Sequence, residues 1–449
     1  MTFLVPVMMF GWIPFTVSAF ALLSSRRAVL VSVIGGVLLL PMATYNIPGI
    51  PDYTKTTAIA VGLLLGVMGA GRGAEYHPRL HPYDTPMVLL CFIVPFATAM
   101  SNNLGMYDGV SSMVQRCLGW GVFYYAGRRF FASASSLRQL TMGIIIGGAF
   151  YIPLILFELR MSPQLSNIFY GFFPHSWMQH VRYGGYRPIV FMQHGLMVAF
   201  WMTAASVAAY SLLRSREVNR ILGVSASFVV VSLVGMAILC KSANGWVFLI
   251  LGLAAFSYYR AARSTRLLRL LMLLIPVYIA LRLTNTVSSD RILGLADLIF
   301  EQQRVRSLGA RLWQEGLFGA HALERPWFGW GGWGRHYPVD PMSGERLAIV
   351  NDSLWIIVFS TNGFFGLASV FGVLGIGPWA ALGTRLGSER DGMAAEDRFS
   401  LDAVVLSLIV MFHMIDCLFN AMLNPVFILV TGALVSYRLN LRTGEPGVT

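Results

Sequence analysis

The stretch SLWIIVFSTNGFFGLASVFGVLGIGPWA at residues 353–380 contains no charged residue, and it decides the class of protein. A helix needs about 20 apolar residues to cross a hydrocarbon layer about 30 Å thick, and this stretch is long enough. Similar stretches recur along the 449-residue chain, which is 56% hydrophobic and only 12% charged. Soluble domains carry about 25% charged residues. The sequence therefore excludes an ordinary soluble protein and predicts an all-α polytopic membrane protein.

Turn and charge signals between the apolar stretches predict thirteen membrane-spanning helices, or twelve if one stretch does not cross. They lie at residues 3–23, 28–40, 56–71, 86–100, 109–127, 140–157, 189–213, 221–240, 245–259, 267–280, 353–380, 401–415 and 421–437. The predicted organisation is amino-terminal helices at 1–157, a long loop at 158–188, helices at 189–281, a second long loop at 282–352, and carboxyl-terminal helices with a tail at 353–449. The first stretch lacks the basic segment and cleavage site of a signal peptide, so we expect a retained helix.

Positive charge is distributed unequally between alternate loops. The loops after the odd-numbered stretches, together with the carboxyl-terminal tail, carry nineteen arginines, whereas the short alternate loops carry only Lys55 and Lys241. Basic residues accumulate in short cytoplasmic loops, so the arginine-rich side is predicted to be cytoplasmic and both long loops to be outside. The net charge of +12 is explained by this pattern and does not indicate nucleic acid as a partner. The expected partner is the lipid bilayer.

The second long loop begins with a helical pattern over residues 290–318. Arg304 and Arg311 are seven residues apart and project from nearly the same side of that helix, while Arg306 lies well round the axis. Two guanidinium groups on one face suit a diphosphate, because they stay charged and present forked donors. The alternative is a surface helix whose arginines pair with acidic residues of the same loop. These are Asp297, Glu301 and Glu315.

The end of this loop has two further features. The run ERPWFGWGGWGRHYPVD at residues 324–340 combines glycines, which permit tight turns, with tryptophans. Such tryptophans can stack on sugar rings or lie at the headgroup level. Asp352 lies where the loop enters the next helix. A carboxylate there can cap the helix, which the spacing alone favours, or act as a general base towards a hydroxyl.

Other ionisable groups lie near the ends of the predicted spans or, in the case of Arg116, inside one, and they are functional candidates. The alternative for the arginines is a side chain that reaches from the apolar layer to water. The candidates are Glu158, Arg160, Arg187 and His194 beside the first long loop, Lys241, Arg116, His413 and Asp416. The spacing of His175, His180 and His194 does not resemble a zinc site, and the four cysteines have no paired spacing. No metal and no cofactor is predicted.

Residues 151–437 resemble the superfamily of bacterial O-antigen ligases and polysaccharide polymerases. Lys241-Ser242 is loosely similar to a Ser-Arg pair beside an outer loop, Arg311-Leu312-Trp313 to an Arg before a Leu-Trp pair, and residues 326–331 to a Pro-hydrophobic-Gly-Trp/Val-Gly run. The most specific motif of the family lies at the end of the large outer loop and consists of a His, then Asn, Ser or Gln, then nine residues and a Gly. Its spacing is kept up to Asn362-Gly363, but Asp352 stands at the His position.

The resemblance implies a metal-independent, inverting glycosyltransferase at the outer face of the bacterial inner membrane. Its donor would be a glycan on undecaprenyl diphosphate and its acceptor a hydroxyl of a glycan or lipid, in O-antigen or exopolysaccharide assembly. Arg304, Arg311, Lys241 and Arg187 would neutralise the leaving diphosphate, and Asp352 would be the base. The remaining candidates, Arg306, Glu158, Arg160, His194, Arg116, His413 and Asp416, would surround them.

Two alternatives remain open at this point. A transporter or lipid flippase would also be polytopic, although its intramembrane charges would be spread along the bundle. A non-catalytic partner in polysaccharide export would explain why Asp352 replaces the family His. Other polysaccharide-assembly membrane proteins are possible partners in each case. Ligase and polymerase share the same motifs, so the sequence does not separate them.

Overall fold

The computed structural model describes residues 1–70, 78–215, 218–262, 264–298, 302–340, 342–347, 349, 351–383 and 400–443. It is 73% helical. The described helices are α1 (Leu4–Leu22), α2 (Ser25–Leu39), α3 (Lys55–Ala70), α4 (Thr85–Val88), α5 (Val94–Ser101), α6 (Gly105–Arg116), α7 (Val122–Phe130), α8 (Ala134–Met161), α9 (Leu165–Tyr170), α10 (Gly195–Ser215), α11 (Ala226–Leu239), α12 (Ala243–Ala262), α13 (Arg266–Met272), α14 (Leu274–Leu283), α15 (Ser289–Asp297), α16 (Gln302–Leu323), α17 (Leu354–Leu382), α18 (Leu401–Asp416) and α19 (Pro425–Thr443).

Short elements complete the fold. π-Helical turns at Leu89–Ile93 and Cys117–Gly121 join α4 to α5 and α6 to α7, and 3-10 turns lie at Pro82–Asp84 and Trp177–His180. Three antiparallel hairpins pair β1 (Thr44–Tyr45) with β2 (Tyr53–Thr54), β3 (Val181–Arg182) with β4 (Gly185–Tyr186), and β5 (Arg220–Ile221) with β6 (Val224–Ser225).

Six described helices are long and apolar enough to cross a membrane. They are Leu4–Leu22, Pro82–Ser101, Ala134–Met161, Gly195–Ser215, Ala243–Ala262 and Leu354–Leu382. Shorter apolar helices lie at Lys55–Gly69, Ala226–Leu239 and Pro425–Leu441. These helices confirm the all-α class and indicate a membrane protein. The count of thirteen crossings and the sidedness of the loops stay predictions.

The helices differ in how much of their apolar surface is covered. The most apolar window of α10 is 78% buried, whereas that of α1 is only 33% buried. A helix that is apolar all round and largely covered belongs inside a bundle, and an equally apolar helix that is uncovered is suited to contact lipid. α10 is therefore a central helix of the bundle, and α1 lies at its periphery.

Helices α7 and α19 approach each other closely through small residues. A Cβ atom at Gly127 would lie 2.0 Å from the Leu429 carbonyl oxygen, and one at Gly432 would lie 2.1 Å from the Tyr124 carbonyl oxygen. Small residues allow the backbones of membrane helices to come together, and dispersion contacts then hold them. Both glycines are therefore required by this interface.

The loops predicted to lie outside meet at one end of the bundle, which we call the loop-side end. Backbone and side-chain hydrogen bonds join them: Thr2 N to Tyr170 O (3.0 Å), Lys55 Nζ to Phe191 O (3.0 Å), Asn102 Nδ2 to Gly329 O (2.9 Å), Arg187 Nη2 to Lys241 O (3.0 Å) and Leu354 N to Cys417 O (3.0 Å). Arginines predicted to be cytoplasmic make a different set of contacts: Arg128 with Asp84, Arg138 Nε with Asp402 Oδ2 (2.9 Å), Arg260 Nη1 with Arg214 O (2.5 Å) and Arg269 Nε with Leu382 O (2.8 Å).

Two predicted elements have different bounds in the structure. The helix predicted at 189–213 begins at Gly195, because the amides of Ile189 and Val190 donate to Glu158 Oε2 at 2.7 and 2.8 Å instead of entering a helix. The helix predicted at 290–318 is two helices, α15 and α16, and residues 299–301 between them lie outside the described residues.

Candidate functional site

Helix α17 is interrupted near its middle, and the interruption positions the loop-side end. Gly363 has φ 64° and ψ −162°, which is not helical, so the span predicted at 353–380, found as the apolar helix Leu354–Leu382, is kinked at this residue. A Cβ atom at Gly363 would lie 2.3 Å from the carbonyl carbon and oxygen of Trp327. Only glycine fits a backbone that adopts a positive φ against another backbone at this distance.

The run at residues 324–340, which we call the Gly/Trp-rich segment, packs into the interruption of α17. Its backbone exchanges hydrogen bonds with both halves of the helix: Trp330 N to Ser360 O (2.8 Å), Gly331 N to Thr361 O (2.9 Å), Phe364 N to Pro326 O (2.7 Å) and Phe365 N to Trp327 O (3.3 Å). Non-helical backbone inside a membrane bundle is tolerated where protein satisfies its polar groups. Two motifs that carry the family resemblance, residues 326–331 and Asn362-Gly363, are therefore in direct contact.

Asp352 and Arg311 face each other at the loop-side end. Asp352 Oδ2 lies 3.8 Å from Arg311 Nη2, and the side chains are 54% and 29% exposed. Ser353 occupies the N-cap position of α17, so the interpretation of Asp352 as a helix cap is wrong. The carboxylate is accessible, lies next to a guanidinium group and is not used to hold the helix start.

A series of polar residues connects this pair to the first long loop. Asp416 lies within the electrostatic influence of Arg311 and within hydrogen-bonding reach of the Asn244 side chain. Three residues before Asn244, the carbonyl oxygen of Lys241 accepts a hydrogen bond from Arg187 Nη2 at 3.0 Å. The structure thus pairs Asp352 with Arg311, places Asp416 near Arg311, and pairs Arg187 with the backbone of Lys241; all five are predicted site residues. We call this set the polar arc.

Lys241 is the cation of the polar arc whose side chain has no acceptor among the described residues. Lys241 Nζ makes no hydrogen bond within the part of the chain that the structure describes, and it lies directly against Gly185 in the β3–β4 hairpin. Lys241 itself has φ 52°, so its backbone adopts the left-handed conformation between α11 and α12. A non-glycine residue held there is uncommon and suggests that the surrounding structure imposes its position.

Glu315 anchors the helix that carries Arg311. Its buried carboxylate accepts hydrogen bonds from Arg282 Nε (3.1 Å), Tyr278 Oη (3.0 Å), Ser353 Oγ (3.1 Å) and Trp355 Nε1 (3.3 Å). The alternative that pairs Glu315 with Arg311 is wrong, because Glu315 pairs with Arg282 and Arg311 with Asp352. Removal of one partner from a buried ion pair is strongly destabilising, so this group holds α14, α16 and the start of α17 together.

Glu158 is a structural residue. Besides the two amides before α10, its Oε1 accepts the amide hydrogen of Leu165 at 3.0 Å. Its three donors are all backbone groups, and the side chain is buried. Glu158 therefore joins the end of α8 to both ends of the first long loop, and its role in the site stays a prediction.

A cluster of histidines lies beside Arg187. His180 is fully buried, and both its ring nitrogens are without a partner among the described residues. Its ring lies 5.7 Å from that of His194, which lies 5.0 Å from that of His175. Burial, followed by the charge of Arg187, lowers the pKa of His180 from 6.5 to about 4. His194 Nδ1 accepts the amide hydrogen of Leu196 at 3.1 Å and so caps α10.

The remaining predicted site residues lie apart from the polar arc. His413 is buried between Phe200 and Phe427, with ring centroids 5.5 and 4.6 Å away, so it is not part of the polar site. Arg306 and Arg160 are exposed. The side chain of Arg304 lies outside the part of the chain that the structure describes. Arg116 lines a separate cavity, where its Nη2 donates to Asn362 Oδ1 at 3.1 Å.

Sequence reasoning did not identify two features of this end. The role of Arg282 with Glu315 depends on packing between α14 and α16, and no local pattern signals it. The interruption at Gly363 did have a signal, since an Asn-Gly pair marks a turn even inside an apolar stretch. Among the described residues, no group of three or more His, Cys, Asp or Glu is placed to hold a metal ion.

The chain matches no protein-family model and no curated protein.

Proposed function

We propose that this protein is a membrane glycan ligase or polymerase that transfers a saccharide from a polyprenyl-diphosphate carrier to an acceptor hydroxyl. The observation that carries the proposal is the accessible pair of Asp352 and Arg311, whose side chains lie 3.8 Å apart. A carboxylate beside a group of cations at the end of an apolar bundle suits a reaction that takes a proton from a hydroxyl and releases a phosphorylated lipid.

The chemistry assigned to these groups is a single displacement. The acceptor oxygen attacks the anomeric carbon, the bond from that carbon to the diphosphate oxygen breaks, and Asp352 takes the hydroxyl proton. Arg311 and Lys241 stabilise the negative charge that develops on the leaving diphosphate, which is the larger contribution expected of such groups. In this proposal the reaction takes place outside the cytoplasm, at the outer leaflet of the bacterial inner membrane.

Substitution of Asp352 tests the proposal. Asp352→Asn keeps the size of the side chain but cannot accept the proton, so we expect glycan assembly to fall about 100-fold or more and the carrier-linked intermediate to accumulate. Asp352→His should retain part of the activity, because imidazole can also act as a base. The measurement is the amount of assembled glycan and of carrier-linked intermediate in cells that express each variant in place of the original chain.

The control for this experiment is Asp290→Asn, since Asp290 is an exposed carboxylate of α15. It should assemble glycan at the original level. Normal assembly by Asp352→Asn would exclude the proposed base and leave a non-catalytic role in polysaccharide export.

A transporter is the second candidate, and the interrupted helix α17 is the observation that favours it. Interrupted helices form the substrate sites of many transporters, usually as a pair in two repeated halves. The chain shows no internal repeat in its sequence. A disabled transporter would accumulate its substrate on the cytoplasmic side, whereas a disabled transferase would accumulate the carrier-linked glycan on the outer side. The side on which the intermediate becomes accessible to an added glycosidase separates the two.

A further inference from the structure

A cavity of about 450 Å³ lies beside the interruption of α17, away from the polar arc. Residues of α6, of the Gly/Trp-rich segment and of the first half of α17 line it, among them Asp108, Ser112, Arg116, Trp333 and Asn362. The volume is within the range of about 300–1,000 Å³ that is usual for small-molecule sites. Glycan chemistry at Asp352 does not by itself require this cavity.

One face of α6 supplies most of the polar groups. Asp108, Ser111, Ser112 and Gln115 recur at helical spacing and all line the cavity. The side chains of Ser111, Ser112 and Gln115 make no hydrogen bond to the rest of the described chain. Polar groups inside a membrane bundle usually face a partner or a water-filled space. This face of α6 is therefore suited to bind a molecule that enters the cavity.

Arg116 continues this polar face and also lines the cavity. One of its nitrogens donates to Asn362 Oδ1 at 3.1 Å, and Asn362 Nδ2 in turn lies 3.3 Å from Thr98 Oγ1. The guanidinium group has five N–H donors, so most of its donors remain directed at the cavity. Asn362 therefore holds Arg116 in place without using up its capacity to bind.

Trp333 forms the rim. Its indole N–H donates to Asp108 Oδ2 at 3.0 Å, which fixes the ring, while 76% of the side chain is exposed. Tyr107 beside it is 63% exposed. Large aromatic side chains with open faces at the mouth of a polar cavity suit a ligand with an apolar ring face and a hydroxylated edge.

The charges decide between an anionic and a neutral ligand. Asp52 and Asp108 line the cavity together with the single cation Arg116. Because the cavity has two carboxylates and one guanidinium group, it disfavours an anionic ligand such as a diphosphate. The same groups provide acceptors and donors for hydroxyl groups. The lining therefore fits a neutral polyhydroxylated molecule better than a phosphate.

We propose that this cavity is a saccharide-binding subsite that holds neutral sugar residues against Trp333, Asp108 and Arg116. We assign this saccharide to a substrate of the polar arc, and that assignment rests on the proposed function. The cavity meets α17 at Ile357 and at Asn362. At 1.5 Å per residue these positions lie roughly 8 and 15 Å along the chain from Asp352. A saccharide in the cavity is thus within reach of the polar arc.

Equilibrium dialysis of the purified full chain in detergent tests the subsite. The probes are glucose, galactose, N-acetylglucosamine and maltotriose, together with the oligosaccharide that mild acid releases from the carrier-linked glycan of the cells that make the protein. This released oligosaccharide has no diphosphate, so it reports recognition of sugar alone. We expect at least one probe to bind, and Asp108→Asn and Trp333→Ala to weaken it about tenfold.

Matched variants control for folding and for general effects. Asp290→Asn and Trp379→Ala remove a carboxylate and an indole that do not line the cavity, and they should bind like the original chain. Ser112→Phe places a ring in the cavity and should abolish binding even if Trp333→Ala does not fold. Melting temperature and gel filtration identify any variant that fails to fold.

The subsite and the proposed function can fail separately. If no probe binds the original chain, or if Asp108→Asn and Ser112→Phe bind as well as it does, the subsite is overturned. Asp352→Asn should bind saccharide at the original level while it loses glycan assembly. Normal assembly by Asp352→Asn would overturn the proposed function and leave the binding result standing.

Discussion

Two arginine–carboxylate pairs near the loop-side end have different consequences for the protein. Arg282 and Glu315 are only 5% and 2% exposed, and several further donors surround the carboxylate. Arg311 and Asp352 are much more exposed and lie 3.8 Å apart. Exposed pairs contribute about 0–1 kcal/mol, so the second pair does little to hold the fold. Its side chains are free to bind a ligand without loss of stability.

Arg311→Ala should lower glycan assembly about 100-fold, because a cation opposite the developing phosphate charge is removed. Arg311→Lys should retain part of the activity, since the charge stays but the forked donor geometry is lost. The melting temperature of both variants should stay near that of the original chain. Quantitation of assembled glycan, with Arg291→Ala on the exposed face of α15 as control, checks the expectation. A fall in activity that follows a fall in melting temperature would contradict it.

His180 should make stability depend on pH. Its pKa is about 4 in the folded protein, because burial and the nearby Arg187, His175 and Arg182 disfavour its charged form, against 6.5 for the free side chain. The unfolded chain therefore binds the proton more readily. The contribution of neutral His180 to the free energy of unfolding is complete above about pH 6.5 and is lost as the pH falls towards 4.

Melting temperatures between pH 4 and 8 measure this effect, with His180→Leu as the comparison. The variant cannot take up the proton, so the difference between the two curves isolates His180 from His194 and His175. A difference that does not change with pH would show that His180 is not held neutral.

At the scale of elements, the interruption of α17 and the Gly/Trp-rich segment depend on each other. The segment forms hydrogen bonds with backbone groups that the broken helix leaves unpaired, and the broken helix holds the segment in one position inside the bundle. This arrangement places Asn362 against Arg116 and Gly331 at the edge of the cavity. Gly363 therefore supports both the position of the loop and the position of Arg116.

Gly363→Ala should disrupt this arrangement. The new methyl group would lie 2.3 Å from the Trp327 backbone, and φ of 64° is strained for alanine. We expect a cost of about 2 kcal/mol or more and a clear drop in melting temperature. Gly235→Ala in α11 is the matched control, because a Cβ atom there meets nothing within 4 Å. Equal melting temperatures for the two variants would be inconsistent with the interruption.

At the scale of the whole molecule, charge predicts two ends of the bundle. The predicted cytoplasmic loops carry most of the arginines of the short loops, and the predicted outer loops carry the polar arc and most of the cavity. The excess of arginine predicts that the first end faces the cytoplasm. Sidedness determines whether the polar arc meets its substrate outside the cell membrane.

Cysteine labelling checks this prediction. Met342 is 98% exposed in the second long loop, and Leu222 is 67% exposed in the β5–β6 turn at the opposite end. A membrane-impermeant maleimide should label Met342→Cys in intact cells and Leu222→Cys only after the inner membrane is permeabilised. The original chain gives the background, because Cys91, Cys240 and Cys417 are buried but Cys117 is partly exposed. The reverse pattern would place the polar arc in the cytoplasm.

The sequence by itself determined the helical membrane class and the approximate position of the helices. These follow from composition and periodicity, which act over neighbouring residues. Only the tertiary structure decided which polar groups meet. Glu158 binds backbone amides, His413 packs among aromatic rings, and Arg116 bonds to Asn362, which is 246 positions away. Such pairs depend on how distant helices pack, and no local pattern carries that information.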